Sequence, residues 1–143
     1  MRDAVTKRLV LDASVAVAWC FEDETTPFTE RVLDLVVKAA EVLVPAIWPF
    51  ELSNALLSAE RRKRITLAQT TSLLTRMAAF PIVVEPPRVT QVFDQILSAA
   101  RQRNLTAYDA AYLELTLRRG VPLATLDEDL RAAATAAGIK LVL

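Results

Sequence analysis

Arg8-Leu-Val-Leu-Asp-Ala-Ser14 reads as a strand that ends on a carboxylate and turns into a helix. Leu9, Val10 and Leu11 form a continuous apolar run, the pattern of a short strand covered on both faces. Asp12 falls at its C-terminal end, and Ala13 to about Cys20 continues as a short helix. A carboxylate between two apolar segments is costly unless a partner compensates its charge.

The alternation continues along the chain. After a polar break at Glu22 to Thr25, Thr26 caps and Pro27 opens a helix to about Ala40. Val42-Leu-Val-Pro45 is a second strand, and Pro49 opens a helix to about Lys63 with Leu52, Ala55, Leu56 and Ala59 as its apolar stripe. Glu51, Asn54 and Ser58 share another side of that helix. Thr66 and Gln69 form a capping box for a helix ending near Phe80. Ile82-Val-Val84 is a third strand, closed by Pro86 and Pro87, and a helix follows from about Val89 to Arg101. Thr106 caps the next helix, which stops at Gly120 behind Arg118 and Arg119. Pro122-Leu-Ala124 is a fourth strand, Thr125 caps a last helix to about Gly138, and Lys140-Leu-Val142 is a candidate fifth strand. This order predicts one α/β domain over residues 1–143. Its expected architecture is three-layer α/β/α, with a central, mostly parallel sheet of about 4–5 short strands.

Composition removes several chemistries. The chain has no histidine, which excludes Ser-His-Asp and Cys-His mechanisms. Cys20 is the only cysteine, so neither an internal disulfide nor a thiolate metal cluster can form. Two glycines and no GxGxxG or GxxxxGK[ST] pattern argue against a phosphate-cradling loop. The formal net charge is zero, so any nucleic-acid contact must come from a local patch. Arg2, Lys7 and Arg8 before an apolar run resemble the start of a signal peptide, but Asp12 interrupts that run. No apolar stretch approaches the roughly 18 residues of a membrane span. The expectation is a cytoplasmic protein without membrane association.

What remains for a hydrolase is carboxylate chemistry. Asp12 and Asp127 follow strands, whereas Glu51 and Asp109 lie in the first turns of helices. Ligands of open parallel sheets bind beyond the carboxyl ends of the strands, where all four acids can converge. Clustered carboxylates repel one another, and a hard cation such as Mg²⁺ or Mn²⁺ relieves that penalty with oxygen ligands alone. Three of the four acids also have a ready structural reading, and Asp12 is the hardest to dismiss in this way. Asp109 stands three residues after Thr106, as in a cap, and Asp127 lies inside Thr125-Leu-Asp-Glu128, itself a capping box. Glu51 favours the dipole of its helix.

Four motifs now stand in order: Leu11-Asp-Ala-Ser14, Pro49-Phe-Glu-Leu-Ser-Asn-Ala-Leu56, Leu105-Thr-Ala-Tyr-Asp-Ala-Ala-Tyr112 and Ala124-Thr-Leu-Asp-Glu-Asp-Leu130. The combination resembles the PIN-domain ribonucleases, and within them the VapC-type toxins of toxin–antitoxin pairs, from about Arg8 to the C-terminus. The resemblance implies metal-binding acids at Asp12, Glu51, Asp109 and Asp127. It assigns hydroxyl support to Ser14 and Thr125 and a neighbouring polar position to Asn54. Asp129 is a further contributor, although only one of Asp127 and Asp129 should point directly into the site, and Asp127 is preferred. Residues 1–7 precede the family's usual start and read as a loose extension.

The resemblance further implies an RNA substrate, Mg²⁺ or Mn²⁺ as cofactor, a homodimer and a small VapB-like antitoxin. The expected reaction is attack of metal-activated water on phosphorus, in line with the leaving oxygen. Arg61-Arg-Lys-Arg64 reads either as phosphate contacts or as a solvated helix end. Glu22-Asp-Glu24 reads as an acidic turn. Trp19, Trp48, Phe50 and Tyr112 read as core or interface, with base stacking as the functional alternative. The rival functions are a housekeeping PIN nuclease of RNA maturation, an acidic-site phosphatase and a non-catalytic binding module.

Overall fold

The computed structural model describes residues 8–143; the N-terminal extension read at residues 1–7 lies outside them. Strands β1 (Arg8–Leu11), β2 (Glu41–Pro45), β3 (Ile82–Glu85) and β4 (Leu123–Ala124) form one sheet in the order β3-β2-β1-β4. All three pairings are parallel, with Leu9 opposite Val42, Val10 opposite Leu123 and Leu43 opposite Val83. Consecutive residues of a strand point to opposite faces. Leu9, Val10 and Leu11 are all fully buried, as are Val42, Leu43 and Val44, so the sheet is covered on both faces. This is the expected three-layer α/β/α arrangement. Burial of each such aliphatic side chain contributes roughly 1.5–3 kcal/mol.

The helices are α1 (Ala13–Trp19), α2 (Pro27–Lys38), α3 (Trp48–Arg61), α4 (Leu67–Ala78), α5 (Val89–Gln91), α6 (Leu97–Arg103), α7 (Ala107–Arg119) and α8 (Glu128–Ala136). Thr26 and Thr66 each close the reciprocal capping box at α2 and α4, and Thr106 caps α7 through the Asp109 N–H. Gly120 terminates α7 in the left-handed conformation, at φ 64°. Arg118 and Arg119 in its last turn pair with Glu85, and Arg118 also with Glu114, tying α7 to the end of β3.

Three expectations are corrected. The helix expected from Val89 to Arg101 contains a π-turn at Val92–Ile96 and extends to Arg103, where Asn104 closes it at φ 55°. Lys140 to Val142 is not a full strand; it contributes one parallel bridge, Leu141 opposite Leu123. Thr125 does not cap the last helix. Asp127 does, its Oδ1 accepting from the Leu130 N–H at 2.8 Å.

The topology creates a switch point. The chain leaves β1 for β2 and β3 on one side, then returns to β4 on the other. The Asp12 N–H donates to the Ala124 carbonyl at 2.9 Å, which brings the ends of β1 and β4 side by side. A crevice forms where strand order reverses in this way, at the carboxyl ends of the strands.

Candidate active site

Asp12 is the anchor of the site, with only 5% of its surface exposed. It occupies the N-cap position of α1, yet its side chain does not cap the helix. Its Oδ2 instead accepts from Ser14 Oγ at 2.6 Å and from Thr125 Oγ1 at 2.7 Å. Both hydroxyls are themselves acceptors, Ser14 from the Leu126 N–H at 3.1 Å and Thr125 from the Asp127 N–H at 3.0 Å. A hydroxyl has one proton, so both protons point at Asp12. None of the hydrogen bonds among the described residues ends on Oδ1. Two charge-assisted bonds contribute roughly 1.5–3 kcal/mol each, against a desolvation cost of several kcal/mol for a buried carboxylate. The second oxygen is therefore the place where a cation would gain most.

Glu51 comes from the first turn of α3, which follows β2 through the Ala46–Ile47 turn. Its Oε1 accepts from Tyr112 Oη at 2.5 Å. Burial raises its pKa, the Tyr112 bond opposes that rise, and the charges of Asp12 and Asp109 add to it. Asp109, in the first turn of α7, is pushed up from 3.8 to about 6. Burial is the largest cause, followed by the charges of Asp127, Asp12 and Asp129. Thr106 caps α7 with its hydroxyl alone, without the reciprocal bond from Asp109, so a capping box does not account for the Asp109 carboxylate.

The acids thus lie within one another's field at the switch point. Asp127 is only partly free, because one of its oxygens caps α8. Asp129 is exposed and acts on Asp109 less strongly than Asp127. Asn54 is also exposed on α3, with no hydrogen bond to the acids. Among the described residues no three His, Cys, Asp or Glu side chains stand as a closed set of metal ligands. The donor chemistry still fits Mg²⁺, which retains several waters and is usually held by one or two carboxylates plus substrate phosphate.

Tyr112 lies in the core, as sequence reading expects, but its Oη also reaches Glu51, which sequence reading missed. It is fully buried, so it offers no face to a base. Burial raises its pKa, as do the Asp12 charge and the bond to Glu51. Trp19 donates to the Thr29 carbonyl at 2.8 Å, and Trp48 is buried, leaving Phe50 as the one exposed member of the expected aromatic set. Phe50 and Tyr108, each next in sequence to an acid, line an apolar cleft of about 310 Å³ with Ile47, Pro87, Val92 and Ile96. Arg64 pairs with Asp23 and Glu24 and lies over the Phe21 ring, which accounts for one cation of the basic run and for the acidic turn. Arg61, Arg62 and Lys63 are exposed.

The sequence matches the family model for the PIN domain over residues 9–136. The chain belongs to the PIN domain family. Two curated relatives come from Pyrobaculum aerophilum. Ribonuclease VapC3 is 28% identical over 123 residues, which covers 86% of this chain and 92% of the relative. Exonuclease VapC9 is 32% identical over 84 residues, covering 58% of this chain and 59% of the relative. The crystal structure of PAE2754 from the same organism superimposes with a TM-score of 0.68 at 24% identity, over 91% of this chain and 87% of that one. FitAcB from Neisseria gonorrhoeae gives 0.65 at 19% identity, over 94% and 96%. These structures share the PIN fold. No helix among the described residues is long and apolar enough to cross a membrane.

Proposed function

We propose that this PIN domain is a divalent-metal-dependent endoribonuclease and the toxin of a toxin–antitoxin pair. The observation that carries the reading is Asp12, whose Oδ2 accepts from two hydroxyls while Oδ1 takes no hydrogen bond among the described residues, and whose charge acts on Asp109 together with those of Asp127 and Asp129. VapC3, similar over most of its length, is named a ribonuclease. Asp12 and Asp109 would hold Mg²⁺ or Mn²⁺, with Glu51 and Asp127 completing the set. A cation bound there supplies Lewis acidity and a nucleophilic water at neutral pH. Ser14 and Thr125 fix the direction of Asp12. Asp127, held by its cap to α8, presents at most its second oxygen, and Asp129 sits further out.

The apolar cleft beside these acids suits a protein partner. Phe50, Val89, Phe93 and Tyr108 are each more than half exposed, an apolar face that a second copy or a small antitoxin would cover. Light scattering at micromolar concentration tests the homodimer; a monomer refutes it.

Purified protein incubated with total RNA and Mg²⁺ or Mn²⁺ should cut at a few sites. EDTA or Asp12→Asn should abolish cleavage while far-UV circular dichroism stays unchanged. Equal cleavage by Asp12→Asn refutes the mechanism. The name of VapC9 favours a second reading, exonucleolytic trimming. A circular RNA separates the two: an endonuclease opens it, whereas an exonuclease leaves it intact.

A further inference from the structure

The phenol of Tyr112 joins the three segments that carry Asp12, Glu51 and Asp109. Tyr112 lies one turn after Asp109 on α7, so the two side chains share a face of that helix. Its Oη accepts from the Ala13 N–H at 3.3 Å and donates to Glu51 Oε1 at 2.5 Å. Ala13 is the first residue of α1 and directly follows Asp12. A helix N-terminus leaves its first N–H groups without intrahelical partners. Asp12 does not cap α1, and Tyr112 supplies an acceptor instead. Asp12 is thereby left to Ser14 and Thr125. Because the oxygen of Tyr112 is occupied by the Ala13 N–H, its single proton is committed to Glu51.

We propose that Tyr112 is a positioning residue of the nuclease centre, holding the Glu51 carboxylate in register with Asp12 and Asp109. It acts through Glu51 and touches neither substrate nor cation. A phenylalanine would fill the same space but would leave the Ala13 N–H and Glu51 Oε1 without this partner. Outer groups that orient metal-binding side chains typically contribute 10–100-fold to metal affinity. The inference rests on the metal-site reading above.

The test uses the full chain and Mn²⁺ alone as the probe, with free Mn²⁺ followed by electron paramagnetic resonance. Wild type, Asp12→Asn, Tyr112→Phe, Glu51→Gln and the Tyr112→Phe/Glu51→Gln pair are titrated, and thermal unfolding is recorded for each. Tyr112→Phe should keep the circular dichroism of wild type and weaken Mn²⁺ binding about tenfold. In the Glu51→Gln background the same change should have no further effect, because nothing remains to be positioned. Mn²⁺ binding that is unchanged in Tyr112→Phe, while Asp12→Asn loses it, overturns the positioning role and leaves the nuclease reading intact. Equal losses with and without the Glu51 carboxylate overturn it as well, because they mark a general effect on the fold. A wild type that neither binds Mn²⁺ nor cuts RNA overturns the metal-site reading and the inference with it.

Discussion

Replacing Asp109 by Asn separates what the acidic site costs the fold from what a cation returns to it. Burial and the charges of Asp127, Asp12 and Asp129 raise the Asp109 pKa from 3.8 to about 6. A carboxyl raised on folding destabilises the native state when it is ionised. The penalty is absent below the unfolded pKa, grows as pH rises through the interval, and is complete above the folded pKa. At about 1.4 kcal/mol per unit the nominal penalty is near 3 kcal/mol. Asp109 is partly open to solvent, and screening reduces this to roughly 1 kcal/mol. In EDTA at pH 7.5, Asp109→Asn should therefore melt about 3 °C above wild type. The gap should shrink as pH falls through 6 and vanish near 4. Mg²⁺ at ten times its dissociation constant should add about 1.4 kcal/mol to wild type and less to the variant, narrowing or reversing the order. Differential scanning calorimetry across this pH series, with and without Mg²⁺, is the assay. A variant less stable than wild type at pH 7.5 in EDTA, or a gap that does not change with pH, refutes the reasoning.

Two further outcomes follow from named bonds. Thr125→Val removes a buried hydroxyl that donates to Asp12 and accepts from the Asp127 N–H, and should cost about 1.5–3 kcal/mol in urea unfolding; Thr125→Ser should restore most of it. Trp48 is buried, and its Nε1 has no partner among the described residues, whereas that of Trp19 donates to Thr29. Trp48→Phe should be nearly neutral, since lost apolar area and the released N–H oppose each other at about 1–2 kcal/mol each. Trp19→Phe has no such offset and should destabilise by more; equal costs at the two sites would show that the unpaired N–H does not matter.

The strands were legible because Leu9–Leu11 and Val42–Val44 are continuous apolar runs, which only a doubly covered sheet requires. The caps Thr26, Thr66 and Thr106 act as local sequence signals predict, since capping bonds span three residues. At Thr125 the local signal fails for the opposite reason. Both it and Asp127 are good cap residues, and the competing bond runs to Asp12, 113 positions away. Periodicity carried no mark of the π-turn at Val92–Ile96. The positions of the acids at strand ends and first turns could be read directly. The role of Tyr112 could not, because a tyrosine among alanines and leucines on a helix looks like core, and it is core, except for one oxygen atom.

The position of β1 between β2 and β4 has a consequence for synthesis. Asp12 is translated 113 positions before Thr125, whose hydroxyl and neighbouring strand it needs. Pairings between such distant segments form late. A nascent chain from which Thr125 has not yet emerged has no completed centre, and one truncated before Leu123 never gains it. The pairing of β1 with β4 thus makes the acidic site a late product of synthesis, complete only once Thr125 and its strand are available.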